Sequence, residues 1–175
     1  MPVLSLPECC LTPISGLPLK ARLYFETAIP SYLTAWPSRD LVMAEHQQVT
    51  REWWEGRRGD FAIYISTFVL DEAGDGDPSA AQRRLGAREG LPLLAATTEV
   101  HELAGRLLRE CRLPSRAATD AVHIAIATVH GMDDLLSWNC THPANAEIVP
   151  KVRTVCEASG YVCPTICTPD ELMGT

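Results

Sequence analysis

Three carboxylates stand where apolar segments meet polar ones. Glu26 closes the apolar run in "RLYFETAIPSYL" (22–33), and Glu72 follows "FAIYIS" (61–66) within "TFVLDEAGDGD". Asp120 precedes "AVHIAIATV", a stretch apolar enough to be a buried helix. Asn139 ends "DDLLSWN" (133–139). If these positions meet at one edge of a sheet, three like charges repel and need a cation to coexist. No Lys or Arg lies within two residues of any of the three acids. Hard oxygen donors without thiolate or imidazole suit Mg²⁺ or Mn²⁺, and such a centre serves phosphoryl chemistry by neutralising phosphate charge and activating water. On this reading Glu26 and Asp120 hold the metal, Glu72 completes the site or orients water, and the Asn139 amide holds a metal-bound water without contributing charge. Each residue also has a plainer explanation. Asp120 gains from a helix dipole, Glu26 can cap the helix after Pro30, and a lone Glu72 can be a solvated helix residue.

The elements that would position these groups can be read from periodicity. Strands are expected at 22–27, 61–66, 91–96 and 133–139, with "PTICT" (164–168) as a last edge strand. Between them, "SRDLVMAEHQQVTREWWEGRRG" has helical spacing, with Ser38 as cap and Gly56 or Gly59 as stop. "PSAAQRRLGAREG" runs as a helix from Pro78 to Gly90. "TTEVHELAGRLLREC" and "LPSRAATDAVHIAIATVHG" supply two more helices, and "NAEIVPKVRTVCEASG" another, in which Pro150 limits regularity. Strands alternating with helices mean an α/β fold with a mostly parallel sheet covered on both faces. In such sheets ligands gather outside the carboxyl ends of the strands, where all four candidates are expected.

The totals exclude several classes. A chain of 175 residues suits one domain, and a hydrophobic fraction of 46% supplies a core. No apolar run approaches the roughly 18 residues of a membrane span. Residues 1–20 resemble neither a signal peptide nor a regular element and are read as an irregular extension of a domain spanning 21–175. A net charge of −7 argues against a broadly basic nucleic-acid surface. The seven cysteines lack zinc-site spacing and read as reduced thiols of a cytoplasmic protein. There is no P-loop, nucleophile elbow or dinucleotide fingerprint. His123, one turn from Asp120, reads as a core histidine. His142 is a residue for local hydrogen bonding or substrate contact. Trp53 and Trp54 fit either core packing or a dimer surface.

The stretches "LYFETAIPSYL", "YISTFVLDEA", "ATDAVHIAIATVHGMDDLLSWNCTHPANAEI" and "ICTPDELMG" together resemble the PIN-domain family, and within it the toxins of VapBC-type toxin–antitoxin systems. The resemblance covers about residues 21–173. It implies a Rossmann-like sheet of about five strands and an endoribonuclease dependent on Mg²⁺ or Mn²⁺. RNA would be the substrate, a small antitoxin protein or a second copy of the chain would be the partner, and no membrane would be involved. The family's acids carry over to Glu26, Glu72 and Asp120, and Asn139 takes the place of a further acid. Thr27 matches a small hydroxyl residue after the first acid. Glu26 stands where most members have Asp, one methylene shorter, and Asn139 removes a charge. The alternative implied by these departures is a weakly active or inactive PIN-like module acting through a protein partner.

Overall fold

The computed structural model describes residues 20–74, 77–139 and 146–174. The expected N-terminal extension lies outside these residues except for Lys20, and so does His142. Five strands, β1 (Ala21–Phe25), β2 (Phe61–Ser66), β3 (Leu93–Leu94), β4 (Asp134–Leu136) and β5 (Thr165–Cys167), form one sheet in the order β3-β2-β1-β4-β5. Every pairing is parallel. The register places Leu23 opposite Ile63 and Asp134, and Leu135 opposite Ile166. The sheet expected to be mostly parallel is thus wholly parallel, as βαβ crossovers dictate when a helix separates each pair of strands.

Among the described residues seven α-helices cover the sheet: α1 (Ala28–Thr34), α2 (Leu41–Gly56), α3 (Thr67–Gly74), α4 (Pro78–Gly86), α5 (Thr98–Glu110), α6 (Ala118–Val129) and α7 (Val149–Ala158). Alternation along β1 splits the core in two. Tyr24 points to the layer of α5, α6 and α7, packing among Val100, Leu107, Ile124 and Val152. Leu23 and Phe25 point to the other layer, with Ile29, Trp53, Ile63 and Leu136. Trp53 is fully buried there, so of the two tryptophans considered for a dimer surface it belongs to the core. Trp54 is half-buried, with the Arg58 guanidinium 4.2 Å above its ring.

Several local expectations are corrected. Asp40, not Ser38, caps α2 by accepting the Met43 amide at 3.0 Å, and Ser38 Oγ instead accepts the Asp40 amide. Pro150 does not disrupt α7; it occupies the first turn, where a missing N–H costs nothing. Pro30 likewise sits inside the first turn of α1. Helix α4 stops at Gly86, before Gly90. Strands β3 and β4 are shorter than the apolar runs that announced them, because pairing ends where the neighbouring strand ends.

Candidate active site

All-parallel pairing sends every strand's carboxyl end to one edge. Glu26 directly follows β1 and Asn139 lies three residues beyond β4. Glu72 lies in α3, which starts at Thr67 with no loop after β2. Helix α6 returns through a turn at Gly131, whose positive φ of 63° favours glycine, to feed β4. Its start, carrying Asp120, is therefore back at the carboxyl edge. The edge that the sequence singled out is where the fold puts all four residues.

Glu26 is 8% exposed. Its Oε2 accepts the Ala28 amide at 2.9 Å, while Oε1 is buried with no hydrogen-bond partner. Burial pushes this carboxyl above the usual carboxylate range, and the Asp120 charge adds to the effect. His123, the Ala28 amide and the Ser137 hydroxyl act in the opposite direction. Asp120 Oδ1 accepts the Asn139 side-chain amide at 2.8 Å, and the Asn139 backbone amide is anchored on Ser137 Oγ at 2.9 Å. Asn139 is thus joined to the acid of α6.

Glu72 is held by two donors. Thr27 Oγ1 donates to its Oε2, and His123 Nε2 lies 3.1 Å from the same oxygen. Burial alone would raise the Glu72 pKa, but the contacts with His123 and Thr27 outweigh it and keep the carboxyl below its ordinary value. An ionised carboxylate only accepts, so His123 Nε2 is the donor. The other ring nitrogen, Nδ1, lies 2.8 Å from the Tyr24 hydroxyl, which in turn lies 2.9 Å from Ser66 Oγ. Burial raises the Tyr24 pKa far above normal, so the phenol keeps its proton. Ser66 Oγ also accepts the Val69 amide at 3.2 Å. One direction satisfies the whole chain: Val69 N–H to Ser66, Ser66 to Tyr24, Tyr24 to His123 Nδ1, and His123 Nε2–H to Glu72.

Sequence reasoning placed His123 in the core and did not single out Tyr24. His123 is 2% exposed, so the core assignment is right about burial and incomplete about role. The available signal was spacing: Asp120 and His123 share a helix face at i, i+3. Nothing in the sequence marked Tyr24 or Ser66, because their contact depends on the β1–β2 register.

Among the described residues no three His, Cys, Asp or Glu side chains are gathered into a ready metal cage. Glu72 is turned onto His123 and Thr27, and Asp120 onto Asn139. The feature that fits a cation is the unpartnered Glu26 Oε1, a hard oxygen beside a second carboxylate.

The architecture is an α/β fold with a five-stranded parallel sheet flanked by helices, as the resemblance to PIN domains implies. No family model and no curated protein matches the sequence. Among solved structures, VapBC2 from Rickettsia felis, bound to a DNA fragment from its promoter, is 15% identical with a TM-score of 0.55, covering 83% of this chain and 97% of that one. VapC20 from Mycobacterium tuberculosis, a sarcin–ricin loop cleaving toxin, is 16% identical with a TM-score of 0.53, covering 80% and 96%. FitAB bound to a DNA fragment is 12% identical with a TM-score of 0.51, covering 84% and 94%. These likenesses span nearly the full length of each neighbour and are likenesses of fold. Among the described residues no helix is long and apolar enough to cross a membrane.

Proposed function

We propose that the chain is a divalent-metal-dependent endoribonuclease and the toxin of a toxin–antitoxin pair. The observation that carries this reading is the placement of Glu26, Glu72, Asp120 and Asn139 along one carboxyl edge of a fold shared with a sarcin–ricin loop cleaving toxin. Glu26 and Asp120 would hold Mg²⁺ or Mn²⁺, and Glu72 would complete the site. The bound ion would supply phosphate-charge neutralisation and a lowered pKa for water. The protein's own work is positional. The Ala28 amide orients Glu26, and Asn139 orients Asp120. His123 and Thr27 hold Glu72 ionised, ready to orient a water for in-line attack on a phosphodiester.

A protein partner is supported by exposed apolar side chains at and before the start of α2: Trp36, Leu41, Val42 and Met43. Leu41 is 85% exposed, an arrangement that calls for cover. We assign that cover to a small antitoxin, with a second copy of the chain as the other candidate. A second reading, an inactive PIN-like binding module, is favoured by one observation: Glu72 and Asp120 already spend oxygens on protein donors.

The experiment that separates them is RNA cleavage in Mn²⁺ or Mg²⁺ by the wild-type protein and Asp120→Asn, with Mn²⁺ affinity measured by calorimetry. Cleavage lost in Asp120→Asn supports the enzyme. Equal cleavage by both proteins rejects the assigned site, and absence of Mn²⁺ binding at millimolar concentration favours the binding module.

A further inference from the structure

One residue before Asn139, the chain turns an aromatic side chain to the opposite layer. Trp138 stacks on His46 of α2 with ring centroids 4.0 Å apart and planes 12° from parallel. Tyr32 of α1 meets both rings edge-on, at 5.6 Å and 6.3 Å. The Trp138 indole N–H donates to Thr50 Oγ1 at 2.7 Å, and Thr50 is anchored on the His46 carbonyl. The group is therefore fixed from three elements, and its three rings stay half-exposed. Two of the rings, His46 and Trp138, line a cleft of about 210 Å³ together with Glu45, Val49, Thr168 and Asp170.

The ligand class follows from the lining. A flat aromatic wall calls for a flat partner, and stacking tolerates any π-face. The rim offers two carboxylates and a hydroxyl and no cation, so it accepts N–H donors and repels phosphate. The cleft is smaller than the roughly 300–1,000 Å³ of drug-sized pockets, which suits one ring system. Consecutive Cα atoms are about 3.8 Å apart, so the cleft begins one residue from the Asn139–Asp120 pair.

We propose that this cleft is a nucleobase subsite. It takes the base of a nucleotide neighbouring the cleaved phosphate, stacked against the Trp138–His46 pair, with its amino edge toward Glu45 and Asp170. This deepens the ribonuclease reading and rests on it for the strand being RNA. Adenine, cytosine and guanine carry an exocyclic amino group and uracil does not, so the subsite selects against uridine.

The test is binding of fluorescein-labelled RNA hexamers (A, C or U) to the full chain in EDTA, where cleavage is off, with cleavage in Mn²⁺ measured separately. Loss of one stacked base should weaken binding of the A or C hexamer by roughly 5- to 160-fold in Trp138→Ala, and in His46→Ala as a second variant that keeps the indole. Glu45→Gln with Asp170→Asn should remove the preference over the U hexamer while leaving U binding unchanged. Melting temperatures and Asp120→Asn controls separate folding and chemistry from recognition. Equal affinity of wild type and both ring variants, or a hexamer with an abasic position bound as well as an intact one, overturns the subsite. So does saturation of the cleft by an arginine-containing peptide when no hexamer binds. Cleavage that persists with no base preference leaves the ribonuclease reading and removes this one. Base-selective binding without cleavage under any metal does the reverse.

Discussion

Replacing Glu26 by Gln should make the metal-free protein more stable at neutral pH. The carboxyl is buried, Oε2 accepts the Ala28 amide, and Oε1 has no partner. Its folded-state pKa is raised, first by burial and then by Asp120. Folding thus favours the protonated acid. The group's contribution is full below its unfolded value of 4.5 and is lost as pH rises through the higher folded value. Beyond that, the ionised side chain opposes folding. Gln keeps the shape and the acceptor for Ala28, and its amide has the Ser137 hydroxyl nearby. An unsatisfied buried polar group costs about 1–3 kcal/mol. A gain of that size is expected at pH 7.5, and each kcal/mol raises Tm by about 2–4 °C at this chain length. The gain should shrink toward zero at pH 4. Mn²⁺ should stabilise the wild type by mass action and leave the variant unmoved, closing the gap. Urea unfolding in EDTA from pH 4 to 8, repeated with Mn²⁺, measures all of this. A Gln variant no more stable at pH 7.5, or a gain undiminished at pH 4, would refute the reasoning.

Other outcomes follow from the same geometry. Tyr24→Phe removes the hydroxyl between Ser66 and His123 and leaves Nδ1 unpaired, so urea unfolding should show a loss of about 1–3 kcal/mol. Glu72 has a lowered folded pKa, so its stabilisation is present above the unfolded value of 4.5 and fades as pH falls through the folded one. His123→Leu should flatten that acid limb in a stability-against-pH series. Trp53→Ala, at a fully buried site, should cost about 3–5 kcal/mol by the same unfolding assay. Burial pushes the Cys167 thiol up to about 12, so a thiol reagent at pH 8 should leave it unmodified in the native protein and modify it in urea.

Much of the scaffold was legible because its signals are local. "FAIYIS" reads as a buried strand and is β2 to the residue. The helix opening near Asp120 announces itself through an unbroken apolar run. Strand carboxyl ends follow once the sheet is known to be parallel, so the edge on which Glu26, Glu72, Asp120 and Asn139 lie could be reasoned out. The relay through Tyr24 and His123 could not, because it joins residues 99 apart across two layers. Periodicity describes a side chain's face and says nothing of its partner across the core. The cap of α2 was missed for a different reason: "PSRD" offers two capping residues, and it is Asp40, in the extended conformation a cap requires, that directly precedes Leu41. Trp53 and Trp54 are equal in sequence terms, and only helix rotation buries one completely.

The position of β1 has a consequence for the chain as it is made. The first strand is also the central one, and one of its two neighbours is β4; the Arg22 amide reaches Asp133 across 111 residues. At about 5–20 residues per second, some 6–20 s of translation separate the emergence of the two sides of that ladder. During that interval Glu26, Glu72 and then Asp120 emerge in turn, and Asn139 follows only after it. The four-residue site therefore cannot exist on a nascent chain that has not emerged as far as Asn139. A truncated product would carry part of the site without the β4 edge that completes it.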